Sequence, residues 1–292
     1  LAMLAARDLD RSVRVVLTRD QMWTFTHRPD ALQTVSLGAG PDGALQALKH
    51  DVIQETSRYE DYQETIPNWS GVLYRCDNVA MSYRLAQTDM ATPGDMRAPG
   101  AVTGVFAIET AMDELAQATG QDPIALRLRN YAEADATAGG KPFGSKELKE
   151  ALRQGAERFG WADRPEPGTR RDGEWLIGMG MASAVRVNLL VNSTAAVVLL
   201  PDGTARVETD MTDIGTGSYT IIAQTAAEML GVDLDRVSVV LGDSSFPASA
   251  GSGGQWGANS ATSGVYAACV KLRRLAAERL ELNPDEADFS GG

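Results

Sequence analysis

Asp213-Ile-Gly-Thr-Gly217 runs directly into Ser218-Tyr-Thr-Ile-Ile-Ala-Gln-Thr-Ala-Ala-Glu-Met-Leu230, and Gly251-Ser-Gly-Gly-Gln255 precedes a second helical segment, Ala258–Leu280. Between them lies a short apolar run, Val237–Leu241, that reads as a buried strand. Glycines ahead of a helix leave its first N–H groups without side-chain cover, where the helix dipole favours negative charge. Two such loops on either side of one helix–strand unit predict two helix N-termini aimed at one anionic group.

Working outward, Leu176–Val187, Ala195–Leu200 and Thr204–Thr209 read as strands, the last two joined by the turn residues Pro201-Asp-Gly203. In the first half Val13–Leu17 reads as a strand. Leu32–Leu37 and Ala44–Glu55 read as a hairpin about Gly38-Ala-Gly-Pro-Asp-Gly43. That turn also satisfies GxGxxG, but Pro41-Asp42-Gly43 is β-turn chemistry, and the segment after it is too short and too strand-like for a dinucleotide-binding helix. Thr103–Thr119 is a helix with Val105, Phe106, Met112, Leu115 and Ala116 near one face. Asp122-Pro123 opens another, and Ser145–Phe159 a third, capped by Ser145 with Leu148 and Leu152 facing inward. Arg164–Glu174, dense in Pro, Gly and charge, is a solvated loop. Strand pairs mixed with helices predict an α+β layered fold. Glu133–Phe143, rich in Ala, Gly and Thr, is the best linker, which places the domains at 1–135 and 136–292.

The chain has 292 residues, 43% apolar and 23% charged, enough for two domains with ordinary cores. It lacks an apolar run of about 18 residues, the length of a membrane-crossing helix. A net charge of −12 argues against nucleic acid or an anionic membrane surface as partner. Cys76 and Cys269 form no metal-ligand spacing, and two buried thiols are favoured over a disulfide. His27 and His50 cannot build a metal site alone, so a metal acting here must be held by something other than side chains. Ala250-Gly-Ser-Gly-Gly254 is not the GxSxG of a serine hydrolase, and Gly140-Lys141 lacks the spacing of a P-loop.

Met96-Arg97-Ala-Pro-Gly100 with its helix, then Gln121-Asp-Pro-Ile-Ala-Leu-Arg-Leu-Arg-Asn130, resembles the F-R-G-F-G loop and D-P-x-x-x-R-x-x-N segment of the molybdenum hydroxylases. That family includes xanthine dehydrogenase, aldehyde oxidase and carbon monoxide dehydrogenase. Asp213–Gln224, Val239–Ser244 and Gly251–Gln255 continue the match in family order, so the resemblance covers essentially the whole chain. It is nearest to the large subunit of bacterial three-subunit aldehyde dehydrogenases. It implies two successive molybdenum-cofactor-binding domains, here truncated at both ends. The metal would be held by the dithiolene of molybdopterin, bare or as its cytosine dinucleotide, with no protein ligand. Implied too are an aldehyde or N-heterocycle substrate hydroxylated with water-derived oxygen, and electron exit through a [2Fe-2S] subunit and an FAD subunit. A catalytically incomplete cofactor-binding module is the rival reading.

Carried over by position, the implied cofactor residues are Arg97, Gly100, Gly215, Thr216, Gly217, Gly253, Gly254 and Gln255. Arg97 is either a donor beside the pterin and the metal or a surface arginine at a helix entry. Thr216 stands where many members carry Gln, so a two-point amide contact would become one hydroxyl contact. Ala98 and Pro99 replace Gly and Phe, which disfavours a flat substrate held between rings; Pro99 is a candidate pocket residue. Arg186, on the strand whose family counterpart lines the substrate channel, is the other, with a solvated edge position as its alternative. Ser252 and Ser260 are read as turn or capping serines before ligands, and Glu109 as a cap of a neighbouring helix or a salt-bridge partner of Arg127 or Arg129. The family's general-base glutamate belongs to a Gly-Glu motif expected beyond Gly292, so no catalytic residue is assigned within this chain.

Overall fold

A computed structural model describes residues 1–291, the side chain of Gln255 excepted. The chain forms two compact units that divide between Val185 and Arg186. The first opens with α1 (Ala2–Leu9) and α2 (Arg19–Met22), neither of which buries a residue. The strand expected at Val13–Leu17 does not form: the segment is irregular, mostly exposed, and pairs with no strand among the described residues.

β1 (Ala31–Ala39) and β2 (Leu45–Ser57) are the expected antiparallel hairpin, with Val35 opposite His50 and Leu37 opposite Leu48. The GxGxxG segment is its turn, closed by the Gly43 N–H on the Gly40 carbonyl at 2.8 Å. From β2 the chain crosses through α3 (Asn68–Leu73) to β3 (Val79–Thr88), which pairs parallel to β2. α4 (Ala101–Thr119) buries Ala101, Gly104, Ile108, Met112 and Ala116, positions three or four apart that share one face. Phe106, assigned to that face from the sequence, is instead 72% exposed. Gly104 is fixed by proximity, since a Cβ there would collide with the Ile66 backbone. With Leu45, Leu48, Leu73, Tyr74 and Leu126, Ile108 and Met112 make the core of this unit.

A buried histidine joins the sheet to the helices. His50 meets Ser70 Oγ through Nδ1 at 2.9 Å and Gln33 Oε1 through Nε2 at 3.1 Å. Because Gln33 Nε2 donates to the Thr103 carbonyl at 3.2 Å, its Oε1 must accept, so His50 carries its proton on Nε2.

α5 (Pro123–Arg129) starts as the sequence indicates, with Asp122 Oδ1 accepting from the Ile124 and Ala125 N–H groups. Arg127 is buried and donates through Nε to Glu109 Oε2 at 2.9 Å, through Nη2 to the Glu109 carbonyl at 3.0 Å, and to Asp113 at 2.8 Å. The salt-bridge reading of Glu109 is therefore what the structure contains. The Tyr74 hydroxyl also donates to Glu109, and burial first, then that negative charge, push its pKa well up. Asn130 holds the hairpin: its side-chain amide donates to the Gly43 carbonyl at 2.9 Å and its oxygen accepts the Leu45 N–H at 2.8 Å.

The segment read as a linker folds instead into β4 (Ala134–Asp135) and β5 (Lys141–Pro142), a small antiparallel pair. α6 (Leu148–Phe159) begins after Glu147 without a side-chain cap, so Ser145 does not cap it, although Leu152 is buried as expected. Lys146 Nζ donates to the Ala132 carbonyl at 2.8 Å, and Trp161 Nε1 to Asp122 at 2.9 Å. These bonds hold Lys146 and Trp161 within the first compact unit, which runs to Val185. β6 (Arg171–Asp172) and β7 (Trp175–Leu176) close a short exposed hairpin. The strand expected at Leu176–Val187 is otherwise irregular, because the Ser183 N–H goes to the buried Glu109 carboxylate at 2.5 Å and not to a neighbouring strand.

In the second unit β8 (Ala196–Leu199) pairs antiparallel with β9 (Ala205–Thr209) around the expected turn, and β9 connects through α7 (Ser218–Leu230) to β10 (Val237–Leu241). β10 lies parallel to β9, giving the order β10-β9-β8, and α8 (Gly254–Arg279) completes the unit. Val207, Met211, Ile222, Ala226, Val265 and Cys269 fill the core. Both cysteines are free; burial pushes the Cys269 thiol up to about 11, while Cys76 is half-buried. No helix among the described residues is long and apolar enough to cross a membrane.

Replacing Arg127 by Met strands Glu109 as a buried, partly unpaired charge, which costs about 3–5 kcal/mol; chemical denaturation of R127M checks this. Burial holds the His50 pKa below its ordinary value, with the Asp51 charge opposing. The unfolded chain therefore binds the proton more readily, so stability from this group is complete above about pH 6.5 and declines as pH falls below it. Denaturation midpoints between neutral and mildly acidic pH should decline less in His50→Gln than in the parent chain.

Candidate functional site

In the second unit, the parallel pairing of β9 and β10 decides where the glycine loops lie. Both strands end on the same side of the sheet, and each is followed there by a loop and a helix start. In open α/β arrangements that is the side where ligands bind. The two loops are stitched together: the Asp210 N–H donates to the Pro247 carbonyl at 3.1 Å and Asp210 Oδ1 accepts the Ser249 N–H at 2.7 Å. Further along, Ser252 Oγ accepts the Thr212 N–H at 2.8 Å and lies 2.7 Å from the Thr212 hydroxyl. The N-termini of α7 and α8 thus start from adjoining loops.

The loops differ in how their amides are used. Asp213 Oδ1 accepts the Gly215 N–H at 2.7 Å and the Thr216 N–H at 2.9 Å. Its carboxyl is held below the usual range, first by the Gly215 bond and, against burial, also by the Tyr219, Thr216 and Ser218 amides. The expectation that these N–H groups lack side-chain cover is corrected here: an internal carboxylate occupies them. The Thr216 hydroxyl is exposed, 3.3 Å from that of Ser218. At the second loop, α8 begins at Gly254 behind the cap residue Gly253 with no side-chain cap. It therefore starts a turn earlier than the sequence indicated. The Trp256 indole packs against Gly253, so a Cβ there would strike the ring, and its Nε1 donates to the Ala250 carbonyl at 3.2 Å. A Cβ on Gly215, Gly217, Gly251 or Gly254 would meet nothing within 4 Å. The Gln255 side chain lies outside the described residues. Ser260 is buried and accepts the Val191 N–H at 3.0 Å, which fits a structural role.

In the first unit, Arg97, Pro99 and Gly100 form the loop that enters α4. The Arg97 side chain is exposed, and its carbonyl accepts from Arg28 Nη2 at 2.6 Å. Ala98 has φ +57°, a left-handed conformation that costs a residue with a Cβ roughly 1–2 kcal/mol. This is the position where the family pattern has Gly. Gly100, at φ +69° and packed against the Thr65 backbone, gives its N–H to Glu64 Oε2 at 2.5 Å. Arg186, expected on a strand, sits in irregular chain and is half-buried. The sequence reading did not single out Arg28, Glu64, Asp213 or Thr212. Only Asp213 carried a local signal, an Asp two residues before a Gly, as in a turn whose side chain bonds its own backbone.

Residues 1–131 and 154–292 each match the model of a molybdopterin cofactor-binding domain. The chain belongs to that family. It is 50% identical, over all of its length, to the aldehyde oxidoreductase molybdenum-binding subunit PaoC of Escherichia coli O157:H7, covering 40% of that protein. To the putative xanthine dehydrogenase molybdenum-binding subunit XdhA of Escherichia coli strain K12 it is 32% identical, over 78% of this chain and 32% of that one. Quinoline 2-oxidoreductase from Pseudomonas putida 86 has the same fold at a TM-score of 0.76 and 20% identity, over 99% of this chain and 41% of that chain. The chain spans about two fifths of the length of the PaoC relative. The expected α+β architecture of two successive cofactor-binding domains agrees with both matches.

A phosphate-bearing pterin fits the second loop on this geometry, because the uncapped start of α8 and the open face of Gly254 leave room for an anion beside backbone donors. The first loop fits less directly, since Asp213 already supplies the negative charge there. No group of three His, Cys, Asp or Glu able to hold a metal occurs among the described residues. Ala98→Gly removes the left-handed strain but adds backbone freedom to the unfolded chain; the net expectation is a gain of about 0.5–1 kcal/mol. A thermal denaturation scan of the A98G variant measures it.

Proposed function

We propose that this chain is the molybdopterin-holding part of a molybdenum hydroxylase that oxidises an aldehyde, or an N-heterocycle, with oxygen from water. The observation that carries the reading is the pair of glycine loops tied through Thr212 and Ser252 at the ends of parallel β9 and β10. When bound, molybdopterin supplies the metal centre at which a substrate C–H bond is exchanged for C–O and two electrons are taken up.

The chain's own residues do the holding. Gly253, Gly254 and the backbone of Gln255 direct the first amides of α8 at the anionic tail of the pterin, and Gly251 keeps the approach clear of a Cβ. Gly215, Thr216 and Gly217 shape the second wall, with the Thr216 hydroxyl as the polar contact. Asp213 keeps that wall rigid, and its charge favours a neutral or donor group of the ligand over another phosphate oxygen. Arg97 offers an exposed guanidinium, and Pro99 and Arg186 are the candidate substrate contacts. The 50% identity to an aldehyde oxidoreductase subunit supports the aldehyde, and that relative's place in the family supports [2Fe-2S] and FAD subunits as partners. The cytosine dinucleotide form would extend the anion toward the second loop.

Gly254→Leu tests the assignment, because the site is open and the backbone there is not left-handed, so the fold should tolerate it. The full-length protein carrying G254L should unfold at the parental temperature yet lose most of its pterin and molybdenum. Parental cofactor content in that variant would sink the assignment of the loop.

A further inference from the structure

The loop Arg97–Gly100 is held from behind by two side chains that the motif does not contain. Glu64 is buried, with a fully covered side chain, and its Oε2 accepts the Gly100 N–H at 2.5 Å. Arg28 donates through Nη2 to the Arg97 carbonyl at 2.6 Å, and its Nη1 lies 3.9 Å from Glu64 Oε2. One ion pair therefore grips the loop at both ends of Arg97-Ala-Pro-Gly100. Glu64 is itself fixed, since its N–H donates to Gln54 Oε1 at 3.0 Å. The Tyr62 hydroxyl spans from Asp95 Oδ1 at 2.8 Å to Glu64 Oε1 at 3.3 Å, which ties the start of the loop to the same carboxylate.

The grip has a reason. Ala98 sits in a left-handed conformation that it does not favour, so without outside restraint the loop would relax and carry the Arg97 side chain elsewhere. A buried carboxylate at the start of α4 also fills the place an external anion would take at that helix N-terminus. The Gly100 N–H is thereby committed within the protein, leaving the Arg97 side chain as the outward-facing donor of this loop.

From this geometry we infer that Arg28 and Glu64 are positioning residues that set the path of Arg97–Gly100 and so fix how the Arg97 guanidinium is presented for cofactor binding. This rests on the reading of Arg97 as a cofactor contact. Gly100 is then part of the mount, not a ligand of the cofactor.

The test uses the full-length holoprotein with variants R28M, R28K, E64Q and R97M, each measured for pterin and molybdenum content, the circular dichroism of the bound pterin, and unfolding temperature. Arg28→Met should lower pterin content by about tenfold, the usual scale for loss of a supporting contact, and shift the pterin dichroism. Arg28→Lys, which keeps a donor and a charge, should restore most of both. Glu64→Gln keeps an acceptor for Gly100 but not the ion pair, and should fall between them. Parental pterin content and dichroism in both R28M and E64Q, with R97M depleted, would overturn the inference about the mount alone. Parental values in R97M would instead overturn the reading of Arg97 and the inference with it. Should R28M fail to fold, E64Q decides against R28K: lowered pterin content and a shifted dichroism in E64Q with R28K near parental supports the inference, and parental values in E64Q overturn it.

Discussion

The Glu109 carboxylate is the fixed point of the first unit. It takes the Arg127 guanidinium, the Tyr74 hydroxyl and the Ser183 N–H, groups from α5, the end of α3 and the chain leading out of the unit. A charge removed from water needs its hydrogen-bonding capacity filled, and these three donors fill it. Their convergence explains why α4 and α5 pack as one body, and why the segment around Ser183 follows an irregular path where a strand pattern is written in its residues. Asn130 extends the arrangement to the hairpin, so the turn of β1–β2 is held in place from α5.

The same economy of charge runs through the loops. Asp213 and Glu64 each place a carboxylate on backbone amides at a helix entrance, where an outside anion would otherwise find its donors. A loop that has satisfied its own amides is rigid before any ligand arrives, and a rigid loop loses less freedom on binding. The start of α8 is different in kind, with glycines and no capping side chain. The two loops of the second unit thus divide the work, one holding shape and the other offering donors.

Much of this is legible in the sequence. The hairpin, α4, α5 and the β9–α7–β10–α8 order come out of apolar spacing and turn residues, and the glycine loops lie where those elements put them. The motif Asp122-Pro123 through Asn130 stands out for its resemblance, yet each of its polar residues serves packing: a cap, a buried ion pair and a hairpin tie. β3 escapes the sequence reading although Met81, Tyr83 and Leu85 alternate with Ser82, Arg84 and Ala86, the pattern of a half-covered strand. Val13–Leu17 and Leu176–Val187 carry strand-like residues, but strands require neighbours, and the first finds none while the second is claimed by Glu109. Arg28 and Glu64 are invisible to local pattern, because their roles come from contacts 69 and 36 residues away.

The glycines themselves fall into two populations. At Gly104, Gly231 and Gly253 the protein's own atoms occupy the space of a side chain, whereas at Gly215, Gly217, Gly251 and Gly254 that space is vacant. Crowding inside the polypeptide accounts for the first group. At Gly215, Gly217 and Gly251 the backbone itself calls for glycine, with φ of +97°, +81° and +88°. Gly254 has neither crowding nor a left-handed backbone to account for it, so an assay of folding alone would pass over that position entirely.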